Sequence, residues 1–377
     1  ARTKSFRLRG LTFEKINPEV LFYRTSGRNF MFFEVLPDSN NKKTTGNPDI
    51  SILFPLNYTI KMKRNILQKL AALLFLCCTT ANLFAQTPEQ WKTLKGDITL
   101  YMANDLGRNG YYEQKTIAEL MGKMAETVNP KCVIAAGDIH HFNGVASVSD
   151  PLWTTNYENI YSHPELMIDW FPVLGNHEYR GNTQAVLDYH QISRRWMMPS
   201  RYFSKVFNKK GISLRVVFID TTPLINRYRT DADVYPDACK QNESEQLQWL
   251  DETLRNAHED WVIVVGHHPI YAQTTKPEEE RSDMQKKVMP ILHKYKNVAI
   301  YACGHIHNFQ HIRKKADNID YVVNSSASLS RKVMPTDGTQ FCSSEPGFSI
   351  ISATASQLNL YMIDKEGKVL YTVSHKK

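Results

Sequence analysis

From residue 97 onward the chain repeats one unit: a short apolar β-rich run, a polar loop opening at or near a glycine, and often a longer amphipathic run. The β-rich runs are 98–103, 132–136, 171–174, 213–219, 261–265, 298–303 and 321–324. Segments 113–128, 244–257 and 281–296 carry apolar residues at three-to-four spacing and read as helices. Strand followed by helix, again and again, predicts an α/β sandwich with its helices outside. The tail, 348–353, 357–363 and 368–373, reads as an antiparallel meander turning at Lys365-Glu-Gly367. No internal repeat or linker interrupts 86–377, so this stretch is expected to form one domain. The polar, charge-rich segment 226–243 reads as a long exposed loop.

Five of the runs are followed at once by chemistry-bearing motifs. They are Asp105-Leu-Gly107, Gly137-Asp138-Ile-His-His141, Gly175-Asn176-His177-Glu178, Gly266-His267-His268-Pro269 and Gly304-His305-Ile-His307-Asn308. In open α/β sheets ligands bind at that edge, because the loops after the strands converge on one crevice. Taken singly, an Asp after a strand is a common turn residue, and a His beside a Pro, as His268 is, is more often a hydrogen-bonded structural group. Taken together, Asp, Asp, Asn, His and His-x-His make a ligand set for two metals. Carboxylate, imidazole and amide oxygen suit Fe, Zn or Mn. Two such ions need a shared ligand, for which Asp138 is the natural candidate, and a shared hydroxide would then attack phosphorus in line.

The formal charge of +8 suggests a nucleic-acid or membrane partner until it is located. Residues 1–85 hold 13 Lys/Arg against 5 Asp/Glu, and residues 86–377 hold 33 of each. The body is neutral, and no nucleic-acid partner is expected. Within the basic stretch, Met62-Lys63-Arg64 opens a segment that continues through the apolar run 70–78 to small and polar residues ending at Ala85. This is the order of a Sec-type signal peptide, with cleavage after Ala85 and a secreted or periplasmic product. The apolar run is too short to span a bilayer of about 30 Å as a helix. A signal peptide at 62–85 makes Met62 the expected initiator and 1–61 upstream sequence translated by mistake, with no fold predicted. Without Cys77 and Cys78, four cysteines remain. Cys132 and Cys303 lie in apolar runs and read as buried thiols, whereas Cys239 and Cys342 lie in polar loops and could pair in an oxidising compartment.

These motifs resemble those of the calcineurin-like metallophosphoesterases, and within them the purple acid phosphatases of the small, tartrate-resistant type. The resemblance runs from about residue 97 to 330, through Gly137-Asp-Ile-His-His-Phe-Asn-Gly-Val145, Gln246-Leu-Gln-Trp-Leu250 and Cys303-Gly-His-Ile-His-Asn308. It implies a four-layer α/β/β/α sandwich with two mixed sheets. Its site would hold one metal on Asp105, Asp138, His141 and His307, and a second on Asp138, Asn176, His267 and His305. His177 would contact the phosphate and protonate the leaving group. It also places 226–243 where some relatives carry a repressive loop. The chain departs from the family at one ligand. Purple acid phosphatases have a Tyr three residues after the bridging Asp, whose phenolate binds ferric iron and gives the colour; here that position is His141, with His140 as a rival ligand. A neutral imidazole in place of a phenolate keeps the same net field if the first metal is divalent, so a colourless site is expected.

The function expected from these features is an extracytoplasmic acid-phosphatase-like phosphomonoesterase, monomeric, acting on small phosphate esters. A phosphodiesterase or nucleotidase with the same metals is the alternative enzyme. A catalytically silent binding protein on the same scaffold is the alternative of another class.

Overall fold

A computed structural model describes residues 88–315 and 317–377, together with the backbone of six strands between residues 4 and 62. The chain divides into two units, Ala1–Phe84 and Ala85–Lys377. In the first, Lys4–Leu8, Leu11–Asn17, Val20–Arg24 and Phe30–Glu34 pair as an antiparallel sheet in chain order, and Ile50–Leu53 pairs with Thr59–Met62. These strands cover part of the 1–61 segment for which the sequence suggests no fold. The signal-peptide reading falls, beyond Met62, on positions outside the described residues.

In the second unit the strands are β1 (Ile98–Ala103), β2 (Cys132–Ala136), β3 (Asp169–Val173), β4 (Phe203–Lys209), β5 (Ile212–Phe218), β6 (Trp261–Val265), β7 (Val298–Cys303), β8 (Phe309–Ile312), β9 (Asp320–Val323), β10 (Thr339–Ser343), β11 (Gly347–Ala353), β12 (Gln357–Asp364) and β13 (Val369–Lys376). They form two mixed sheets, ordered β13-β12-β11-β1-β2-β3 and β4-β5-β6-β7-β9-β8-β10. β1, β2 and β3 run parallel in the first sheet, and β5, β6, β7 and β9 in the second. Across the inner faces the Phe171 ring of β3 meets Phe203 and Phe207 of β4 and Phe218 of β5, at centroid distances of 6.3, 6.0 and 5.9 Å. β1, β2, β6 and β7 are buried along their whole length, which is why they read as apolar runs, broken only by Thr99 in β1.

Helices supply the outer cover. α1 (Gln114–Val128) buries Ile117, Ala118, Met121, Met124, Ala125 and Val128 and ends at Asn129 in the left-handed region. α2 (Glu243–Arg255) starts where the Asn242 side chain accepts from the Glu245 N–H, and it buries Leu250 and Leu254. Truncating a core side chain such as Met121 or Leu250 to alanine would cost about 2–5 kcal/mol.

The departures from the sequence reading are local. The helix expected over 281–296 is two, α3 (Glu278–Lys287) and a short turn at Met289–Leu292 with Pro290 at its start. β4, β8 and β10 were not foreseen; β4 and β10 are half-exposed and polar along one face, so their apolar signal is weak. The segment 226–243 is not an open loop. It folds into the short helices Asn226–Thr230 and Ala238–Lys240, buries Tyr228 and Ala238, and is pinned by Arg229 Nη1 donating to the Pro223, Ala238 and Gln241 carbonyls. Cys132 and Cys303 are buried thiols as expected, and Cys239 and Cys342 are both free rather than paired.

Candidate metal centre

The five motifs leave the C-terminal ends of parallel strands, three in one sheet and two in the other. β1, β2 and β3 deliver Asp105, Asp138 and Asn176; β6 and β7 deliver His267, His305 and His307. The backbone turns sharply at each exit. Asp105, Asp138, His305 and His307 have φ of 53°, 52°, 70° and 65°, which for non-glycine residues costs about 1–2 kcal/mol each. Strain of this kind persists where the surroundings over-determine it, typically at functional sites. Gly137 has φ 86°, and a Cβ there would run into the His267 ring. At Gly107 a Cβ would strike the Ile139 carbonyl, and the Gly107 carbonyl accepts from the His141 N–H at 3.3 Å. The loop that brings His141 in thus occupies the space a residue-107 side chain needs.

Asp138 is the hub. Its Oδ2 lies 3.2 Å from His267 Nε2, 3.6 Å from His141 Nε2 and 3.8 Å from His177 Nε2. Its Oδ1 accepts from the His177 N–H at 2.9 Å. Asp105 Oδ1 lies 3.0 Å from His307 Nε2, while Oδ2 accepts from Asn104 Nδ2 and the His305 N–H. His305 Nδ1 is 3.2 Å from His267 Nε2. Potential ligand atoms within 4.8 Å of one another group Asp105 with His141 and His307, Asp105 with Asp138 and His267, and Asp138 with His141 and His177.

Four imidazoles are held by their outer nitrogens. Nδ1 of His267 donates to the Ala136 carbonyl, Nδ1 of His307 to that of Leu329, Nδ1 of His177 to that of Phe142, and Nε2 of His305 to Glu280. At His267, His305 and His307 an outer N–H so engaged turns the inward nitrogen toward the cluster, where its lone pair could take a cation. Burial works against charge on His267, yet Asp138 outweighs it and lifts the imidazole to about 9. Burial likewise opposes charge on Asp138, and His267 with its neighbours still holds that carboxyl well below the usual range. Burial keeps His141 neutral.

The fit to cations shows in what lacks a partner. Asp105 Oδ1, both ring nitrogens of His141 and Asn176 Oδ1 are buried with no hydrogen bond. Native interiors rarely leave such groups unpaired; these four sit on residues singled out as ligands, while other unpartnered buried atoms, His140 Nε2 and Asp220 Oδ1 among them, lie on residues that are not. Asn176 itself sits between Gly175 and His177, which both approach Asp138. His140 behaves differently. It packs edge-on to Trp153, its Nδ1 is 3.3 Å from Asn156 Nδ2, and burial brings its pKa down to about 3. It joins none of the ligand groups among the described residues. His268 lies beside His267 and His305, but its nitrogens are engaged by Thr221 Oγ1 and Tyr228 Oη at 2.8 and 3.2 Å.

A family model for the calcineurin-like phosphoesterases matches residues 98–309, more than half of the chain and all five motifs. The chain belongs to that family. As a calcineurin-like phosphoesterase it is a metal-dependent phosphoester hydrolase, and its relatives include purple acid phosphatase 3 of Arabidopsis thaliana, 30% identical over 73% of this chain and 77% of the relative. Tartrate-resistant acid phosphatase type 5 of Oryctolagus cuniculus is 27% identical over 67% of this chain and 82% of its own. Two solved structures share the fold. One is GAP50, the anchor in the inner membrane complex of Plasmodium (23% identity, TM-score 0.63, 74% of this chain and 88% of that one). The other is a dimetal phosphatase from Danio rerio (12%, TM-score 0.53, 75% and 99%).

Several polar residues around this phosphoesterase site were not read from the sequence. Glu178 is fully buried and accepts N–H bonds from Asp138, His140 and Gly175, tying the second and third motif loops together. Its only signal was standing next to His177. Asn104 had the same kind of signal beside Asp105. Glu280 had none, because a triple Glu at 278–280 reads as an ordinary acidic first turn of a helix. Lys276 Nζ comes within 3.3 Å of His305 Nδ1.

Proposed function

We propose that residues 86–377 act as a secreted or periplasmic, acid-phosphatase-like phosphomonoesterase with two divalent cations, one on Asp105, Asp138, His141 and His307, the other on Asp138, Asn176, His267 and His305. The observation that carries this reading is the set of four buried, unpartnered atoms on Asp105, His141 and Asn176, which cations in that space would satisfy. Bound there, the cations supply Lewis acidity and an acidified water for attack on phosphorus. The residues do the positioning. Asp138 reaches both clusters, Glu178 fixes its loop, and Asn104 with the His305 N–H orients Asp105.

His177 is assigned the proton for the leaving oxygen. With Nδ1 donating to the Phe142 carbonyl, its Nε2 is the nitrogen turned toward Asp138 and the space between the clusters. His141 supports divalent occupancy. Two aspartates and a neutral imidazole balance two divalent ions to the same residual charge as two aspartates and a phenolate balance a ferric–divalent pair. The signal-like order of residues 62–85 supports export, and the neutral body supports a partner other than nucleic acid, with a small ester substrate and a monomeric state part of the proposal. Among the described residues no helix is long and apolar enough to cross a membrane.

The test is purification with native metal. Expected are two metal ions per chain, no phenolate-to-iron band in the visible spectrum, and faster turnover of p-nitrophenyl phosphate than of bis(p-nitrophenyl) phosphate. A metal-free protein inactive on both esters after reconstitution overturns the reading.

A further inference from the structure

Arg108 directly follows Gly107, the residue against which the His141 loop packs. Its backbone is pinned: the Arg108 and Gly110 N–H groups donate to Gln114 Oε1 at 3.1 and 2.7 Å, and Gln114 Nε2 donates to the Asn156 carbonyl. The side chain is only 7% exposed. Among the described residues its guanidinium forms no hydrogen bond and no ion pair, and Nε is buried without a partner. What it does have is two aromatic faces, Phe142 at 4.8 Å and Tyr112 at 6.0 Å from the guanidinium carbon. Phe142 supplies the carbonyl that holds His177, and its ring lies 5.9 Å from the His141 ring and 6.1 Å from that of His177. Both aromatic rings are more than half exposed, so this wall opens to solvent.

A largely buried residue whose guanidinium has no protein acceptor favours the arrival of a counter-charge at that fork. Its neighbours narrow the choice of counter-charge. The aspartates whose field it feels, Asp105 and Asp138, are those committed to the metal clusters. A cation would be repelled, and a neutral group would leave the fork unpaired. We propose that Arg108 is the residue that binds the phosphate of the substrate and selects monoesters over diesters. A monoester dianion presents one more terminal oxygen than a diester, and a planar five-donor fork rewards that oxygen with charge-assisted hydrogen bonds. Phe142 and Tyr112 keep the fork flat and in place while leaving its edge free. This assignment rests on the phosphomonoesterase reading above.

The experiment compares metal-loaded wild type, Arg108→Met and Arg108→Lys. Inorganic phosphate binding is read by calorimetry, and kcat/KM is read on p-nitrophenyl phosphate and bis(p-nitrophenyl) phosphate. In Arg108→Met, phosphate Kd rises and monoester kcat/KM falls by about tenfold to a hundredfold, while the diester changes by no more than about twofold, since the charge-assisted bonds lost are those to the extra oxygen. Arg108→Lys, which keeps the charge and loses the fork, recovers part of the phosphate affinity. An unchanged phosphate Kd, an equal fall on both esters, or a variant that no longer holds two metals overturns the proposal. A wild type that turns over neither ester with two metals bound sinks the functional reading instead, and the phosphate titration then decides Arg108 alone.

Discussion

Glu280 Oε2 lies 2.9 Å from His305 Nε2, across the ring from Nδ1, which faces His267 Nε2 at 3.2 Å. The carboxylate therefore fixes the proton of His305 on Nε2 and leaves Nδ1, which Lys276 Nζ also approaches at 3.3 Å, as the acceptor nitrogen. Glu280 is itself held by Arg227 Nη1 at 2.9 Å and Tyr228 Oη at 2.8 Å. An outer carboxylate of this kind is worth about 10–100-fold in metal affinity. Glu280→Gln is thus expected to weaken one of two binding steps in a metal titration while the other is unchanged. Two unaltered steps would remove Glu280 from the centre.

His177→Ala should separate esters by leaving group. General-acid catalysis contributes about 10²–10⁴-fold, and it matters most where the departing oxygen is strongly basic. An alkyl phosphate is expected to lose kcat by about that factor, and p-nitrophenyl phosphate far less. Equal losses on both would assign His177 to binding alone.

Chelation should soften the whole unit, because the two clusters bring buried aspartates and imidazoles from both sheets to one place. A ligand that binds only the folded state at a hundred times its Kd stabilises by about 2.7 kcal/mol. Adding Zn or Mn to chelated protein is expected to raise Tm with a dependence on metal concentration. A Tm indifferent to metal would contradict the site.

Asp220 offers a pH test outside the metal ligands. Burial pushes its carboxyl up to about 7, against the pull of Arg201 and the Tyr179 hydroxyl, which donates to Oδ2. An ordinary unfolded carboxyl ionises near 3.9. Between those values the folded state holds a proton that the unfolded state has lost, so this group makes stability fall as pH rises, by at most about 1.4 kcal/mol per pH unit. Below the window both states are protonated, and above it both are ionised. Asp220→Asn, which cannot ionise, should gain on wild type progressively from about pH 4 to pH 7 and hold a constant lead above. Melting curves across that range check it, and a difference that does not vary with pH refutes it.

The elements legible in advance were those whose signals are local. β1, β2, β6 and β7 were read to the residue because a strand buried on both faces is predominantly apolar. The half-exposed β4 and β10 carried no such run, and 226–243 appeared to be a loop because its burial depends on Tyr228 finding His268 and Glu280. The ligand candidates were legible because each lies within five residues of a strand end, four of them two residues past it.

Side-chain chemistry and strand-exit position were thus in the sequence: which residues can ligate, and that they sit in five loops leaving strand ends. The tertiary structure decided the rest, because hydrogen bonds and fields form between groups far apart along the chain. It turned the His141 ring toward Asp138 and the adjacent His140 ring toward Trp153. It set Glu178 under the Asp138 loop across forty residues, and Glu280 behind His305 across twenty-five. It left Arg108 buried beside the site with no acceptor of its own.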